Sequence, residues 1–288
     1  MKPAPFEYEA PRTLGEALAT LSERGDEATL LAGGQSLVPL LNFRLARPAL
    51  VVDLNGVGEL AYLRRDGEGL RIGAMARSAE LERSEEVALG WPLLREAVGY
   101  VGHPPIRNRG TVGGSVAHAD PAAELPVALL ALDARFRLRS ARGVRDVSAG
   151  EFFVSAFTTA READEALVEI EVPPLPPRTG AAFVEHARVR GDFALSGAGA
   201  LVTLDEDARC SRAVVALLAC GLTPVRAEAA ERSLLGRQVD EEAAREAALR
   251  AVEGIELSGS IRADPDFRRA LTRELVRRAV LRAAERVR

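Results

Sequence analysis

The sequence predicts an α+β fold in two domains, and three patterns indicate it. Strand-like apolar segments alternate with helical segments through the first part of the chain, which is typical of a mixed architecture. The segment Pro173–Pro177 holds four prolines in five residues, so it favours a stiff, extended connection. Strand patterns and then helical patterns follow it. We therefore expect a first domain over residues 1–176 and a second domain over residues 177–288.

The first domain is expected to have two lobes, the first of them over about residues 1–56. Thr13 to Arg24 is predicted to be a helix, because Thr13 can cap it, Glu16 follows three residues later and leucines line one face. Strands are predicted at 29–32 and 49–54, where short apolar runs end at turn residues. This pattern indicates a small α+β lobe.

The second lobe is expected over about residues 57–176. Ser78 is expected to cap a helix, and the proline-containing segment 103–109 is expected to be a loop. The predicted strands are 70–74, 135–139 and 167–172, and the predicted helices are 91–101 and 121–132.

A three-stranded antiparallel sheet followed by helices is predicted for the second domain. The strands are expected at 181–189, 198–204 and 213–219, and the helices at about 224–235, 241–252 and 266–287. The last helix is arginine-rich and has an apolar stripe. We interpret it as a packing helix with a solvated face, and a surface that docks a partner is the alternative.

Composition excludes several classes of protein. The net charge of −4 and the pI near 5.7 give no reason to expect nucleic-acid binding. Cys210 and Cys220 are the only cysteines, which are too few to hold an iron–sulfur cluster and favour a reducing cytoplasm. The chain shows no signal-peptide core and no apolar run long enough to cross a bilayer. We therefore expect a cytoplasmic protein with no membrane span.

Two loops with paired glycines carry the strongest chemical signal, Ala32-Gly33-Gly34-Gln35-Ser36 and Thr111-Val112-Gly113-Gly114-Ser115. Glycine lets a backbone approach closely and point its N–H groups at oxyanions, so each loop suits a diphosphate. Two such loops on one diphosphate would hold a dinucleotide from both sides, whereas two unrelated tight turns are the alternative. Arg107 and Arg109 lie beside the second loop, where they would neutralise a diphosphate, with a fold-stabilising ion pair or a subunit contact as the alternatives.

Two commoner nucleotide-binding motifs do not fit. Among the Gly-x-Gly triplets, Gly56–Gly58 comes nearest to the Rossmann fingerprint, but it opens no convincing helix and Glu59 would face the phosphate. No glycine is followed by lysine, so a Walker motif is impossible. The glycine loops therefore indicate another kind of dinucleotide fold.

Four segments resemble a known family, namely 31–39, 42–48, 106–121 and 192–194. They are similar to the FAD-binding middle subunit of the molybdenum hydroxylases, the family of carbon monoxide dehydrogenase, aldehyde oxidoreductase and xanthine dehydrogenase. The two glycine motifs together make the resemblance specific, and it covers most of the chain. It implies a two-lobed FAD-binding domain of the vanillyl-alcohol-oxidase/PCMH type, followed by a small antiparallel sheet with helices. The best interpretation is a medium chain of the carbon monoxide dehydrogenase type.

The resemblance implies an electron-transfer subunit that carries FAD. The [2Fe–2S] clusters and the molybdenum cofactor are expected only on partners, a small iron–sulfur subunit and a large molybdenum subunit, in a dimer of heterotrimers. Electrons would pass from the clusters through this chain to an external acceptor, while another chain oxidises the substrate. No catalytic and no metal-ligating residue is expected here. A self-sufficient FAD oxidoreductase and a cofactor-free scaffold of the same fold are the alternatives.

The resemblance also assigns cofactor contacts to residues of this chain. Both glycine loops would bind the FAD diphosphate through backbone N–H groups and hydroxyls. Glu124, with Asp120 as its neighbour, matches an acidic residue that contacts the ribityl or ribose hydroxyls, and either is alternatively a helix-start residue. The full set is Ala32, Gly33, Gly34, Gln35, Ser36, Leu37, Val101, Gly110, Thr111, Val112, Gly113, Gly114, Ser115, His118, Asp120, Glu124, Leu167 and Phe193.

Apolar and aromatic contacts to the flavin follow from the same resemblance. Leu167 and Val101 match positions that pack on the flavin ring, with a plain core role as the alternative. Phe193 is expected either to stack on the ring or to fill the domain junction. His118 follows the second loop and is expected to contact the cofactor. Several relatives place a lysine near 184–186, which this chain lacks, so the tuning of the redox potential is left open.

Overall fold

The computed structural model describes residues 2–257 and 263–287, and its first lobe is built on a three-stranded parallel sheet. Its elements are β1 (Glu7–Glu9), α1 (Leu14–Arg24), β2 (Ala28–Leu31), α2 (Leu37–Asn42) and β3 (Leu50–Asp53). The strand order is β1-β3-β2, with the central strand parallel to both neighbours. The first glycine loop therefore connects the end of β2 to the start of α2.

A capping box sets the start of α1, as its sequence predicted. The hydroxyl of Thr13 accepts a hydrogen bond from the N–H of Glu16 at 3.2 Å, and the carboxylate of Glu16 accepts one from the N–H of Thr13. Leu14, Leu18 and Leu21 then lie on one face and are buried against the sheet. This packing fixes the direction in which β2 leads into the first glycine loop.

The second lobe packs helices against a five-stranded antiparallel sheet. Its strands are β4 (Leu63–Asp66), β5 (Gly69–Gly73), β6 (Arg135–Ser140), β7 (Gly143–Ser148) and β10 (Ala166–Val172), and a small hairpin adds β8 (Phe153–Ser155) and β9 (Thr158–Thr159). Its helices are α3 (Ser78–Arg83), α4 (Glu85–Gly90), α5 (Pro92–Tyr100), α6 (Pro104–Arg109), α7 (Val112–His118), α8 (Glu124–Ala131) and α9 (Ala149–Phe152). The sheet order is β4-β5-β10-β6-β7, so β10 pairs with both β5 and β6.

The C-terminal part contains a four-stranded antiparallel sheet and three further helices in the described residues. These elements are β11 (Thr179–His186), β12 (Ser196–Leu204), β13 (Cys210–Leu218), β14 (Val225–Arg226), α10 (Glu228–Leu234), α11 (Glu241–Arg250) and α12 (Pro265–Glu285). The sequence predicted three strands, and the structure adds β14 at the edge. Two residues are too short to give an alternating pattern, which is why this strand was missed.

Both faces of the C-terminal sheet are buried. On β11, Ala181 and Phe183 pack into the core that contains α5 and α8, whereas Ala182 and Val184 pack into the core formed with the C-terminal helices. Neighbouring residues of a strand point to opposite faces, so one strand contributes to both cores. The apolar runs of β11, β12 and β13 therefore lack the polar alternation of a half-exposed sheet.

Several local predictions were wrong. Residues 104–109 form α6 instead of a loop, because a proline in the first turn of a helix needs no hydrogen bond from its nitrogen. Ser78 is the first residue of α3 and does not cap it; Arg77 holds the cap position. The strand β1 was not predicted, since its three residues are all exposed and show no apolar pattern.

We propose domain boundaries at the proline segment and near residue 56. Strand β10 ends at Val172 and β11 begins at Thr179, while β3 ends at Asp53 and β4 begins at Leu63. Each sheet thus lies on one side of a boundary. Across 2–257 and 263–287, no helix has both the length and the apolar character that a bilayer crossing requires.

Replacing Gly180 with alanine is predicted to destabilise the fold. An added Cβ would collide with the carbonyl of Ala283 and lie 2.8 Å from the nitrogen of Val287, so α12 would have to move away from β11. We expect a loss of about 1–3 kcal/mol and a melting temperature lower by several degrees, measured by thermal unfolding. Gly150→Ala is the control, because its Cβ would meet no atom within 4 Å. Equal melting temperatures for the two variants would contradict this packing.

Candidate functional site

The two glycine loops meet at one cavity of about 500 Å³, which lies between the two lobes and is partly covered by residues 191–193. Its volume is in the range of small-molecule sites. All the predicted cofactor residues except Val112 line it. Val112 is fully buried in the core instead, and its N–H donates to the carbonyl of Ala76 at 2.9 Å. Whether the lining residues contact a cofactor stays a prediction.

The first glycine loop offers a row of main-chain donors. Across residues 2–257 and 263–287, no acceptor pairs with the N–H groups of residues 33–37. Gly34 adopts a φ of +73°, a conformation that glycine accepts without steric cost. The side chain of Gln35 donates to the carbonyl of Gly33 at 2.9 Å and closes the turn. Five consecutive amides on the cavity wall are thus available to the oxygen atoms of a ligand.

The second glycine loop differs from the first, because it is the start of a helix. Thr111 caps α7, and its hydroxyl accepts a hydrogen bond from the N–H of Gly114 at 3.0 Å. The N–H of Gly113 donates to Ala74 and that of Ser115 donates to the carbonyl of Thr111. The amides of residues 112–115, which we assigned to a diphosphate, are therefore already paired. The hydroxyl of Ser115, which has no partner in the described part of the chain, remains available.

The glycines of both loops are required for close packing. A Cβ on Gly33 would collide with the carbonyl of Arg109 and lie 2.7 Å from the Cα of Gly110. A Cβ on Gly113 would lie 2.5 Å from the Cβ of Ala74. Contacts this short are not tolerated between heavy atoms, so a side chain at either position would separate the backbone segments. The contact of Gly33 with residues 109 and 110 brings the first loop against the segment that directly precedes the second loop.

Two acidic residues lie on the cavity wall after α7. Asp120 accepts a hydrogen bond from the N–H of Ala122 at 2.9 Å, which forms a turn before α8. Glu124 begins α8 and is buried; apart from its own N–H, no described group donates to its carboxylate. Burial raises the pKa of Glu124 to about 7, and the nearby charge of Asp120 adds to this. A ligand hydroxyl could therefore bind Glu124 as either donor or acceptor.

Apolar side chains cover other parts of the cavity. Leu167 belongs to the buried core and also lines the cavity, so the two roles that the sequence left open are compatible. Phe193 lines the opening and is 62% exposed, which argues against a role in filling the domain junction. The His118 ring lies 5.2 Å from the Phe157 ring, and burial lowers the pKa of His118. This histidine is therefore favoured in its neutral form.

Sequence reasoning missed some residues of the cavity wall. Arg161 is the clearest example, since its guanidinium donates to the carbonyls of Glu162 and Glu165 and still lines the cavity. Burial lowers the pKa of Arg161. Its surrounding sequence carries no motif that could have identified it. Thr29 and Leu30 of β2 could have been found, because they lead directly into the first glycine loop.

Of the roles given for Arg107, the structure shows the stabilising ion pair. Its guanidinium makes two hydrogen bonds to the carboxylate of Glu82, at 2.7 and 2.9 Å. It also donates to the carbonyls of Val101 and Gly102. Arg107 is buried and does not line the cavity, so it stabilises the turn before α6.

The fold and this cavity define a class of two-lobed proteins with a ligand-sized cavity between their lobes. The family described as the FAD binding domain in molybdopterin dehydrogenase matches residues 4–175. The CO dehydrogenase flavoprotein C-terminal domain matches residues 181–283. The chain belongs to the family of FAD-binding subunits of the molybdopterin dehydrogenases.

Similar proteins agree with this assignment. The chain is 43% identical over 288 residues to the 6-hydroxypseudooxynicotine dehydrogenase complex subunit alpha of Paenarthrobacter nicotinovorans, covering 100% of this chain and 97% of that one. It is 38% identical over 280 residues to the carbon monoxide dehydrogenase medium chain of Hydrogenophaga pseudoflava, covering 97% of each. A chain in a solved structure of carbon monoxide dehydrogenase from H. pseudoflava, which lacks the Mo-pyranopterin moiety of the molybdenum cofactor, has a TM-score of 0.96 at 38% identity, with 100% of both chains covered. The predicted family, fold class and FAD cofactor are confirmed.

Gly33→Ala is predicted to weaken FAD binding by about tenfold or more, because the added Cβ would push the first loop away from residues 109 and 110. The measurement is a fluorescence titration of FAD with the FAD-free chain. Gly58→Ala is the matched control, since its Cβ would meet no atom within 4 Å. Equal affinities for the two variants would show that the loop contact does not support binding.

The contribution of two buried carboxyl groups to the stability of the FAD-free chain is predicted to fall as pH rises from about 4.5 to about 8. Burial raises the pKa of Glu124 to about 7, and burial with the nearby Glu124 charge raises that of Glu185 to about 8. Between the unfolded and folded pKa values the folded state binds more protons, so stability decreases with pH. Glu124→Gln and Glu185→Gln should each flatten this dependence by about 1–3 kcal/mol, measured by denaturant unfolding at several pH values. Variants whose stability depends on pH as wild type does would contradict the prediction.

Proposed function

We propose that this chain binds FAD in the cavity and acts as the electron-transfer subunit of a molybdenum hydroxylase complex. One observation carries the proposal. The five amides of residues 33–37 are unpaired on the cavity wall, beside the close contact of Gly33 with the backbone of residues 109 and 110. Unpaired amides on a cavity wall are what a dianionic diphosphate needs, because they bind its oxygens without a cationic side chain. Family membership then identifies the dinucleotide as FAD.

The residues of the cavity fit the parts of FAD in different ways. We assign the diphosphate to the amides of 33–37, with the Ser115 hydroxyl approaching from the second loop. We assign the sugar hydroxyls to Glu124 and Asp120, whose carboxyl groups line the wall. The apolar ring system fits against Leu167 and Val101, with Phe193 at the opening, because aromatic rings pack favourably on such side chains.

Bound FAD would supply the redox chemistry, since a flavin can take up electrons singly and release them as a pair. The chain's own residues bind, orient and shield the cofactor. The amides of residues 33–37 would hold its diphosphate, and the buried Leu167 would pack against its apolar part. No side chain needs to act as an acid or a base for electron transfer, so we propose no catalytic residue in this chain.

The proposed partners are a small iron–sulfur subunit and a large molybdenum subunit, in a dimer of heterotrimers. The relatives support a complex, because one is named as a subunit of a dehydrogenase complex and another as a medium chain. With only Cys210 and Cys220, both buried, this chain cannot hold an iron–sulfur cluster. Exposed apolar side chains beside the first loop, on Phe43 and Leu45, offer a surface for such partners.

The chain is proposed to be a medium chain of the carbon monoxide dehydrogenase type, with the substrate of the complex bound on another chain. Relatives of similar identity are named for 6-hydroxypseudooxynicotine and for carbon monoxide, so this chain does not determine the substrate. We also propose a cytoplasmic location, because Cys210 and Cys220 are unpaired thiols, as is usual in a reducing compartment.

Purification of the complex from its native host tests this proposal. We expect this chain to co-purify with an iron–sulfur protein and a molybdenum protein, with stoichiometric FAD, iron and molybdenum measured by absorbance and elemental analysis. The isolated chain should bind FAD and be bleached by dithionite, but not by the organic or gaseous substrate of the complex. A chain purified alone and free of metal, or bleached directly by the substrate, would contradict the proposal.

A further inference from the structure

Arg77 is attached to the second glycine loop through its backbone. Residues 77 and 111 form an antiparallel bridge, with the N–H of Ser78 donating to Gly110 at 3.0 Å and that of Val112 donating to Ala76 at 2.9 Å. The backbone at Arg77 therefore cannot shift without moving the start of α7.

The side chain of Arg77 connects this loop to the first one. Its Nη1 donates to the carbonyl of Arg109, and its Nη2 donates to Oδ1 of Asn55 at 2.7 Å. Asn55 in turn donates from Nδ2 to the carbonyl of Ala32, the first residue of the first glycine loop, at 2.8 Å. Neither Arg77 nor Asn55 lines the cavity. An unbroken series of hydrogen bonds thus joins the two loops outside the cavity.

The orientation of Asn55 is fixed by further contacts. Its N–H and its Nδ2 both donate to Oδ1 of Asp53, at 2.9 and 2.5 Å, and Oδ2 of Asp53 accepts from the hydroxyl of Tyr8 at 2.6 Å. Asn55 must accept from Arg77 and donate to Ala32 at the same time. An amide can do both, whereas a carboxylate can only accept.

The charge of Arg77 is not used in a surface ion pair. Among the described residues, no carboxylate lies within 4.0 Å of its guanidinium, which binds a carbonyl and an amide instead. Burial lowers the pKa of Arg77, and the neighbouring charge of Arg109 adds to this. A guanidinium held in this way fixes geometry, because its planar group binds two acceptors in a set direction.

We propose that Arg77 and Asn55, here called the loop bracket, are positioning residues that set the distance between the two glycine loops and so control the affinity for FAD. The inference rests on the proposed FAD contacts of these loops. Gly33 and Gly110 are already in backbone contact, so a weakened bracket allows the loops to separate and spreads the amides of 33–37 over many arrangements. Preorganised donors bind a ligand more tightly than mobile ones.

The test measures FAD dissociation constants by fluorescence titration of the full chain, together with the melting temperature of the FAD-free chain. Arg77→Met and Asn55→Ala are each expected to raise the dissociation constant about tenfold. Asn55→Asp should weaken binding as much as Asn55→Ala, because a carboxylate cannot donate to Ala32. Arg77→Lys should recover part of the affinity, since an ammonium can still donate to one acceptor.

A double variant separates the loop bracket from general stabilisation. The hydrogen bonds act in series, so breaking either one already disconnects the loops. The double variant Arg77→Met/Asn55→Ala should therefore bind FAD no more weakly than the weaker-binding single variant. Arg83→Met is the control; it removes a 3.2 Å hydrogen bond to Asn108, also between α3 and α6, and should leave the dissociation constant within twofold of wild type. Losses of FAD affinity that add up in the double variant, or single variants that bind FAD like wild type, would overturn the role proposed for the loop bracket but not the proposed function. A wild-type chain that binds no FAD would overturn the proposed function and this inference with it.

Discussion

The contact between Gly33 and the backbone of residues 109 and 110 is the constraint on which the rest of the site depends. It joins two segments that belong to different lobes and that fold on different sheets. The core under the first lobe also includes Met75, Ala166 and Val168 of the second lobe, and both glycine loops line the cavity. Position 33 therefore requires glycine because of the contact between the lobes, and not because of the local turn.

The two glycine loops are similar in sequence but have different structural roles. The first is a turn whose amides are unpaired, while the second is the first turn of a helix whose amides are paired with residues 74, 76 and 111. The difference comes from what lies beside each loop. Both loops line the cavity, but the backbone of the second loop pairs with the segment after β5, whereas the amides of the first have no acceptor among the described residues. One loop thus supplies donors, and the other supplies the rigid wall against which they are held.

The sequence predicted the elements whose signals are local. The helix at Thr13, the three long C-terminal strands and both glycine loops follow from caps, apolar runs and short motifs. The helix α6 was missed because its prolines were interpreted only as breakers. Arg161 and the loop bracket could not be predicted, since their contacts are made by the fold: Arg77 reaches Arg109, which is 32 residues away, and Asn55, which is 22 residues away. No residue pattern encodes such distances.

The opening of the cavity is built differently from its inner wall, and this agrees with a subunit that exchanges electrons with other molecules. The segment that carries Phe193 is tied at its base, where the N–H of Leu195 donates to His186 and Arg268 donates to the carbonyl of Leu195. Phe193 lies two residues before this anchor and is 62% exposed, although burial of an aromatic ring would be favourable. An apolar side chain at the mouth of the cavity would leave one edge of a bound FAD open to a partner or an acceptor, while the core behind it is buried.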